Sequence, residues 1–313
     1  MALYLARRLL HGVLVVAAVT FFAYGGIRLL RPDRYGGEPW LSGTWRDVSG
    51  VLLHFDFGDT CVAPQCTTVV DLWRQGVIVD LTLPAGSLVL GIVVGTQLGT
   101  WSAARRGTLP AKVVEALAML LYCLPPYLAG YLALLAFDPF FGVLPVPFLV
   151  DPNRFGEPFD GLGGYLRGMI LPWLIVAAPI GAACLRLTLA MTSEVLEEDY
   201  MRTALAKGLR YRVAVRRHGG PAARASVASY AGASVAGLIL NVVLVEFVFA
   251  LPGFLKYTWR ALGKAPGLPQ AIDYQMLQAI AVWAAVVIAL FSLLADLALH
   301  RLDPRVRASG RVG

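Results

Sequence analysis

Residues 191–224 read MTSEVLEEDYMRTALAKGLRYRVAVRRHGGPAAR, a polar stretch between two apolar runs, one ending at Met191 and the next beginning near Val227. Its centre, Asp199 to Lys207, is made of good helix formers, and Gly208 stands where a helix would close in a left-handed cap. A second short helical pattern runs from Tyr211 to Arg217, with Gly219-Gly220-Pro221 as its expected stop. The stretch predicts a helix, a sharp glycine turn and another short helix, lying at the water-facing edge of a membrane. Such an element suits the groove of a partner protein.

Composition explains why a membrane lies on either side of it. Hydrophobic residues make up 58% of the chain, charged residues only 15%, and mean hydropathy is +0.66. So few charges cannot coat a water-soluble domain, and the chain reads as a polytopic membrane protein. The net charge of +7 could suggest nucleic acid, but the basic residues are sorted into particular loops between apolar runs. Membrane topology accounts for that sorting and phosphate binding does not.

Six apolar runs can be followed outward from this stretch. Arg7 and Arg8 precede the first, Leu9 to Leu30, which is long enough to span and is followed by no small-residue cleavage site. It is expected to be an uncleaved helix with its N-terminus inside. Arg31 to Gly76 then reads as a polar extracytoplasmic loop carrying Cys61 and Cys66. An oxidising compartment would permit a disulfide there; two free thiols and a metal site with His54 remain alternatives, the metal lacking a second Cys pair or a close His cluster. The second run, Val77 to Trp101, is interrupted by Leu83-Pro84 and followed by Arg105 and Arg106, which mark the inside.

The third run, Val113 to Phe137, contains Pro125 and Pro126, which remove backbone donors in mid-membrane and must bend the helix. Such breaks are tolerated against protein or a water-filled path, so the pair is either a wall of a translocation route or a packing kink. The fourth run, Met169 to Met191, contains Pro172, Pro179 and Arg186. The fifth, Val227 to Leu251, has Gly232, Ser234 and Gly237 at spacings that suit close helix approach, together with Asn241 and Glu246. An acid inside a span is a functional candidate, with a structural acid bonded to the neighbouring loop as the alternative. Lys256 to Gln275 is expected to be an outer loop, Met276 to Leu299 the last span, and residues 301–313 a basic tail. With the N-terminus, the loop after Trp101, the 191–224 stretch and the tail inside, sixteen Lys and Arg lie inside against nine outside. That asymmetry orients both termini to the cytoplasm.

Glu194-Val195-Leu196, Asp199-Tyr200, Arg202-Thr203-Ala204, Ala206-Lys207-Gly208-Leu209 and Arg217-His218 together resemble the EAA loop of ABC importer permeases, in the form found in B-type dipeptide and oligopeptide permeases. Further similarity lies in the opening Tyr4 to Leu10, in His54 to Asp59, in Gly142 to Val146, in Glu246 to Gly253 (a Glu-x-x-Phe/Tyr-x-x-Pro-Gly pattern) and in the closing Leu302-Asp303-Pro304-Arg305. Two positions depart from the family: its usual Leu-Pro pair near Ala225-Ser226 is replaced by a lone Pro221, and the second arginine expected after Arg186 is Leu189.

The resemblance implies an all-α membrane protein with the six transmembrane helices of type I ABC importers. It divides the chain into an N-terminal helix (1–30), an outer loop (31–76), a five-helix permease core (77–300) holding the coupling loop 194–224, and the tail. Asp199, Tyr200, Arg202, Thr203, Ala204, Lys207, Gly208 and Leu209 would contact an ATPase, and Pro125, Pro126, Arg186, Asn241, Glu246, Pro252 and Gly253 would line or gate the path. The implied partners are a homologous C-type permease, two ATPase subunits and an extracytoplasmic solute-binding protein in a bacterial inner membrane. Peptides are the implied cargo, with nickel or another small solute as the alternative within the family.

The chain has no Gly-x-x-x-x-Gly-Lys-Ser/Thr loop, no Gly-x-Ser-x-Gly elbow and no His-Glu-x-x-His, and its four histidines are scattered. It therefore reads as a transport subunit, not an enzyme, binding no cofactor or metal of its own and relying on ATP and magnesium held by its partners. A secondary transporter working alone is the rival from another class, and a membrane scaffold without transport a third.

Overall fold

The computed structural model describes residues 2–36, 38–62, 66–137, 161–263 and 272–302. In chain order the elements are α1 (Ala2–Leu30), α2 (Trp40–His54), a hairpin of β1 (Asp59–Thr60) and β2 (Thr67–Thr68), α3 (Val69–Ala103), α4 (Leu109–Cys123), α5 (Pro126–Phe137), α6 (Gly161–Glu197), α7 (Asp199–Ala206), α8 (Tyr211–Ala214), α9 (Gly220–Ala222), α10 (Arg224–Val248), α11 (Thr258–Ala261) and α12 (Tyr274–Leu302). The hairpin is antiparallel, pairing Asp59 with Thr68 and Thr60 with Thr67.

Five helices, α1, α3, α6, α10 and α12, are long and apolar enough to cross a membrane, and α4 with α5 forms a sixth span bent by 109°. This is the all-α membrane architecture anticipated from the apolar runs. The bend follows from the two prolines. Pro125 forces Leu124 out of the helical region (φ −84, ψ 118), and Pro126 then opens α5 at a position where its missing N–H costs nothing. At 1.5 Å per residue α4 covers about 22 Å and α5 about 18 Å, so neither half alone crosses about 30 Å of hydrocarbon.

Several boundaries differ from the sequence expectation, among them those of α6, which runs from Gly161 to Glu197 where the sequence predicts Met169 to Met191. The stretch 31–76 holds α2 and the hairpin and is not merely a loop, and α3 begins at Val69, eight residues before Val77. Leu83-Pro84 does not interrupt the second span, because α3 runs unbroken through Pro84. In lipid, freed backbone groups have no water to turn to, so neighbouring protein holds such a helix together. Gly142 to Val146, the residues from Asp303 onward and residues 264–271 of the Lys256 to Gln275 loop lie outside the described residues.

The described residues form two compact units, one within Met1–Leu81 and Ala250–Leu293, the other within Thr82–Phe249 and Leu294–Gly313. In the first, α2 packs across α1. The Trp40 indole donates to the Gly25 carbonyl at 2.8 Å, and Tyr24, Val48, Val51 and Val282 form a buried cluster. Arg28, 5% exposed, donates to Asp47 at 2.9 Å and Glu38 at 3.2 Å, while Arg46 reaches Glu38 at 2.8 Å. The Arg46 hydrogen bond first, then that from Arg28, holds the Glu38 carboxyl below its usual range. Asp273 caps α12 by accepting the Met276 N–H at 3.0 Å and also accepts the Thr60 hydroxyl at 2.7 Å, tying the hairpin to that helix. Cys61 and Cys66 are disulfide-bonded, with Cα atoms 4.1 Å apart. Of the three possibilities left open by the sequence, the structure has the bridge.

In the second unit, α3 lies against α6 along a glycine stripe. A Cβ added at Gly91 would come 2.9 Å from the Ile180 Cβ, at Gly95 2.8 Å from the Cys184 Cβ and at Gly99 2.8 Å from the Thr188 Cβ, all closer than real side chains pack. Glycine every fourth residue is what lets two membrane helices meet backbone to backbone. The fifth span uses its small residues differently. Gly232 faces the Ala295 Cβ at 3.3 Å, but Gly237 has nothing within 4 Å, so the close approach expected there does not occur.

Candidate coupling element and membrane cleft

The polar stretch that opened the sequence folds as a helix, a left-handed turn and a second helix. Gly208 has φ +88, a conformation that costs a residue with a side chain but not glycine. Around it the Gly208 N–H donates to the Leu205 carbonyl at 2.9 Å and the Leu209 N–H to the Ala204 carbonyl at 3.2 Å, the two reverse bonds of a Schellman cap. Asp199, Tyr200, Arg202, Thr203, Lys207 and Gly208 are exposed, and Ala204 and Leu209 half-buried. The Arg202 to Asp199 ion pair, at 3.6 Å between exposed groups, adds little.

Two buried side chains, Met201 of α7 and Ala214 of α8, fix this exposed hairpin to the bundle. Met201 is fully buried, while Tyr200 beside it is 51% exposed and stands edge-on to His218 with ring centres 6.1 Å apart. Met201 is absent from the residues expected to matter. Met201 and Leu205, one turn apart on one face of a short polar helix, are its sequence signal.

The glycine-glycine-proline group does not act as the expected stop. After α8 the chain makes a wide π-turn over Val215–Gly219, passes into α9 and enters α10 at Arg224, all in near-continuous helical conformation. Pro221 sits in the first turn of α9, where it needs no N–H partner. The glycines serve proximity: a Cβ at Gly219 would be 2.5 Å from the Thr192 methyl, and one at Gly220 3.1 Å from the Thr100 hydroxyl.

Above the coupling element, α6 and α10 enclose an open cleft of about 250 Å³ lined by Pro179, Tyr230, Ser234, Gly237 and Asn241 among apolar neighbours. Tyr230, Ser234 and Asn241 fall on one face of α10, so the wall is polar without being charged. Gly237, open on this side, adds room to the cleft instead of bringing a helix close. Of the residues expected to line or gate a path, only Asn241 borders the cleft.

The others are placed elsewhere. Arg186 is exposed on α6, its guanidinium 3.6 Å from the Met119 sulfur of α4. Pro125 is exposed and Pro126 buried at the α4–α5 bend. Glu246 has no exposed surface and lies within electrostatic reach of Tyr165, whose hydroxyl bonds that of Thr82. Glu246 is therefore buried and does not border the cleft.

In the first unit, Pro252 and Gly253 belong to the turn that follows α10. Ala250 adopts φ +48 there, and the next amide, Phe254 N–H, donates at 2.8 Å to Asp80. Asp80 is fully buried on α3 and also accepts the Trp283 indole at 2.5 Å, so one carboxylate joins α3, α12 and the Pro-Gly turn. Asp80 is likewise absent from the expected residues, although an acid within an apolar run is the signal that picks out Glu246. Among the described residues, no three His, Cys, Asp or Glu side chains gather as a metal site.

Comparison with known proteins agrees with this architecture. Residues 88–308 match the family described as binding-protein-dependent transport system inner membrane component. The oligopeptide transport system permease protein OppB of Mycobacterium tuberculosis is 29% identical over 341 residues, covering 99% of this chain and 100% of the relative. A probable peptide ABC transporter permease of Sinorhizobium fredii is 27% identical over 327 residues, covering 98% and 100%. The dipeptide transport system permease protein DppB of Bacillus subtilis is 27% identical over 256 residues, covering 82% and 76%. With five apolar helices long enough to cross a membrane, a bent sixth pair and a family match over most of its length, the chain belongs to the inner membrane components of binding-protein-dependent transport systems, multi-pass transport subunits.

Proposed function

We propose that this chain is one of two permease subunits of an ATP-driven peptide importer, with both termini in the cytoplasm. The observation that carries the reading is the exposed α7–Gly208–α8 element, a hairpin anchored by the buried Met201 and Ala214, in a chain of this family. Its exposed residues, Asp199 to Leu209, dock in a groove of an ATPase subunit that hydrolyses ATP with magnesium. A second permease completes the path, and an extracytoplasmic binding protein delivers the solute.

Peptide cargo is supported by the names of the relatives and by the chemistry of the cleft. Neutral hydroxyl and amide groups can meet the backbone of a peptide without selecting its charge. The test is purification of the chain in lipid nanodiscs from cells expressing its neighbouring genes, with uptake of labelled di- to hexapeptides in proteoliposomes. Two co-purifying ATPases and ATP-dependent peptide uptake are expected. Uptake driven by an ion gradient without ATP would favour a secondary transporter, and ATP-dependent uptake of nickel without peptides would replace the cargo assignment.

A further inference from the structure

We propose that α2 is an interfacial helix whose exposed apolar stripe rests in the outer lipid leaflet while its polar stripe faces water. The inference rests on the membrane architecture and is independent of what the transporter carries.

The placement comes first. Trp40, at one end of α2, packs edge-on to Phe21 at 5.8 Å and bonds Gly25, while Val48 and Val51 further along cluster with Tyr24. Both parts of α2 therefore pack on the C-terminal half of α1. Counting from Arg8 at 1.5 Å per residue, Tyr24 stands about 24 Å and Arg28 about 30 Å along the helix. A hydrocarbon core of about 30 Å therefore ends within the stretch of α1 that α2 covers.

The chemistry of the faces follows. Thr44, Val48 and Val51 are buried, and next to them on the helix Leu41, Trp45 and Leu52 are 62%, 67% and 39% exposed. Ser42, Arg46 and Ser49 form a polar stripe about a quarter turn further round, opposite the buried face, with Leu53 on the last turn as the one large apolar exception on that side. On a soluble surface such an apolar stripe would be a liability. Here the neighbouring helix α1, a candidate membrane span, exposes large apolar residues too: Phe22, Leu29 and Leu30 near its C-terminal end. A tryptophan flanked by leucines on an amphipathic helix is the pattern of interfacial anchoring. The buried Arg28, bridged to Asp47 and Glu38, ties the two helices together and keeps a cation at the hydrocarbon edge compensated.

The test uses the full-length chain in its native assembly, in lipid nanodiscs, with Cys123 and Cys184 changed to Ala and spin labels placed singly at positions 41, 42, 45, 46, 49 and 52. Collision with oxygen, which concentrates in lipid, is compared with collision with a water-soluble nickel chelate. The expected result is an oxygen-to-nickel ratio several-fold higher at 41, 45 and 52 than at 42, 46 and 49. A ratio equally low at all six would overturn the inference by placing the helix in water. Protection of 41, 45 and 52 from both reagents would overturn it by showing a protein on the stripe. Because labels can perturb packing, Trp45→Phe in an otherwise unlabelled assembly gives a second reading. Loss of a component of tryptophan fluorescence quenched by brominated lipid is expected, and an unchanged quenched fraction would count against the proposal.

Discussion

Replacing Gly208 isolates the coupling turn from everything else in the chain, because a side chain added there meets nothing within 4 Å. Any effect must come through the backbone. At φ +88 a residue with a Cβ pays about 1–2 kcal/mol for the left-handed conformation, and a β-branched one more. If the turn gives way, the two Schellman bonds go with it, each contributing about 1 kcal/mol. A strain of about 1–2 kcal/mol, and more for a β-branched side chain, thus falls on a helix of eight residues, α7, too short to persist without its cap and its Met201 anchor. Since about 1.4 kcal/mol is a factor of ten, the population holding the docking shape falls roughly thirtyfold or more in Gly208→Val. Gly208→Ala should lie in between, and Gly208→Asn close to the parent, because asparagine tolerates this conformation. Uptake by proteoliposomes, normalised to inserted protein, should follow the order Asn, Ala, Val. ATPase subunits should co-purify progressively less well. Equal uptake by all three variants would refute the claim that this turn transmits motion, and so would losses that merely track lower insertion.

Three further outcomes test the packing. Gly95→Leu should lower the thermal unfolding midpoint in detergent through overpacking of about 1–3 kcal/mol, whereas Gly237→Leu, facing open space, should leave it unchanged. Asp80→Ala removes the acceptor of two buried donors, the Phe254 amide and the Trp283 indole, at about 1–3 kcal/mol each, and should destabilise more than Asp80→Asn; thermal unfolding of the purified variants reads the difference. Denatured without reductant, the protein should take up two maleimides, on Cys123 and Cys184, and four after reduction, as counted by intact mass.

The six spans were legible because each is an apolar run longer than lipid requires, and the α4–α5 break because adjacent prolines leave the preceding residue no helical option. What stayed hidden depended on partners. Helix α2 carries Gly43 and Gly50 and the charged pair Arg46-Asp47 at its centre, so its periodicity is weak until α1 is present to cover Val48 and Val51. The Gly-Gly-Pro group looked like a stop because glycine and proline usually end helices; the nearness of Thr192 and Thr100 shows that here small size mattered more than flexibility. The same residue type misled in the fifth span. Gly91, Gly95 and Gly99 meet a facing helix and Gly237 meets a cleft, and nothing local distinguishes the two uses. The exposed turn of the coupling element was readable because a left-handed cap is decided within a few residues. The roles of Glu246 and Asp80 were not, because burial of an acid is decided by neighbours far away in sequence.

The arrangement of the second unit bears on how an ATPase could act at a distance. The helices lining the cleft, α6 and α10, are the two that lead into and out of the coupling element. From Pro179 to Asp199 the chain is helical apart from a one-residue break at Glu198, and from Tyr211 to Tyr230 it is near-continuously helical through the π-turn. Each path is about 30 Å of helix, stiff along its axis. A displacement applied at α7 therefore has two covalent routes to the cleft walls and needs no chain of side-chain contacts. The weakest links on those routes are identifiable: the break at Glu198, and the π-turn at Val215–Gly219, where the helical hydrogen-bond pattern changes. If coupling is mechanical in this sense, the hinges belong at these two points, and stiffening the π-turn by deleting one of its five residues should slow uptake while leaving ATPase binding intact.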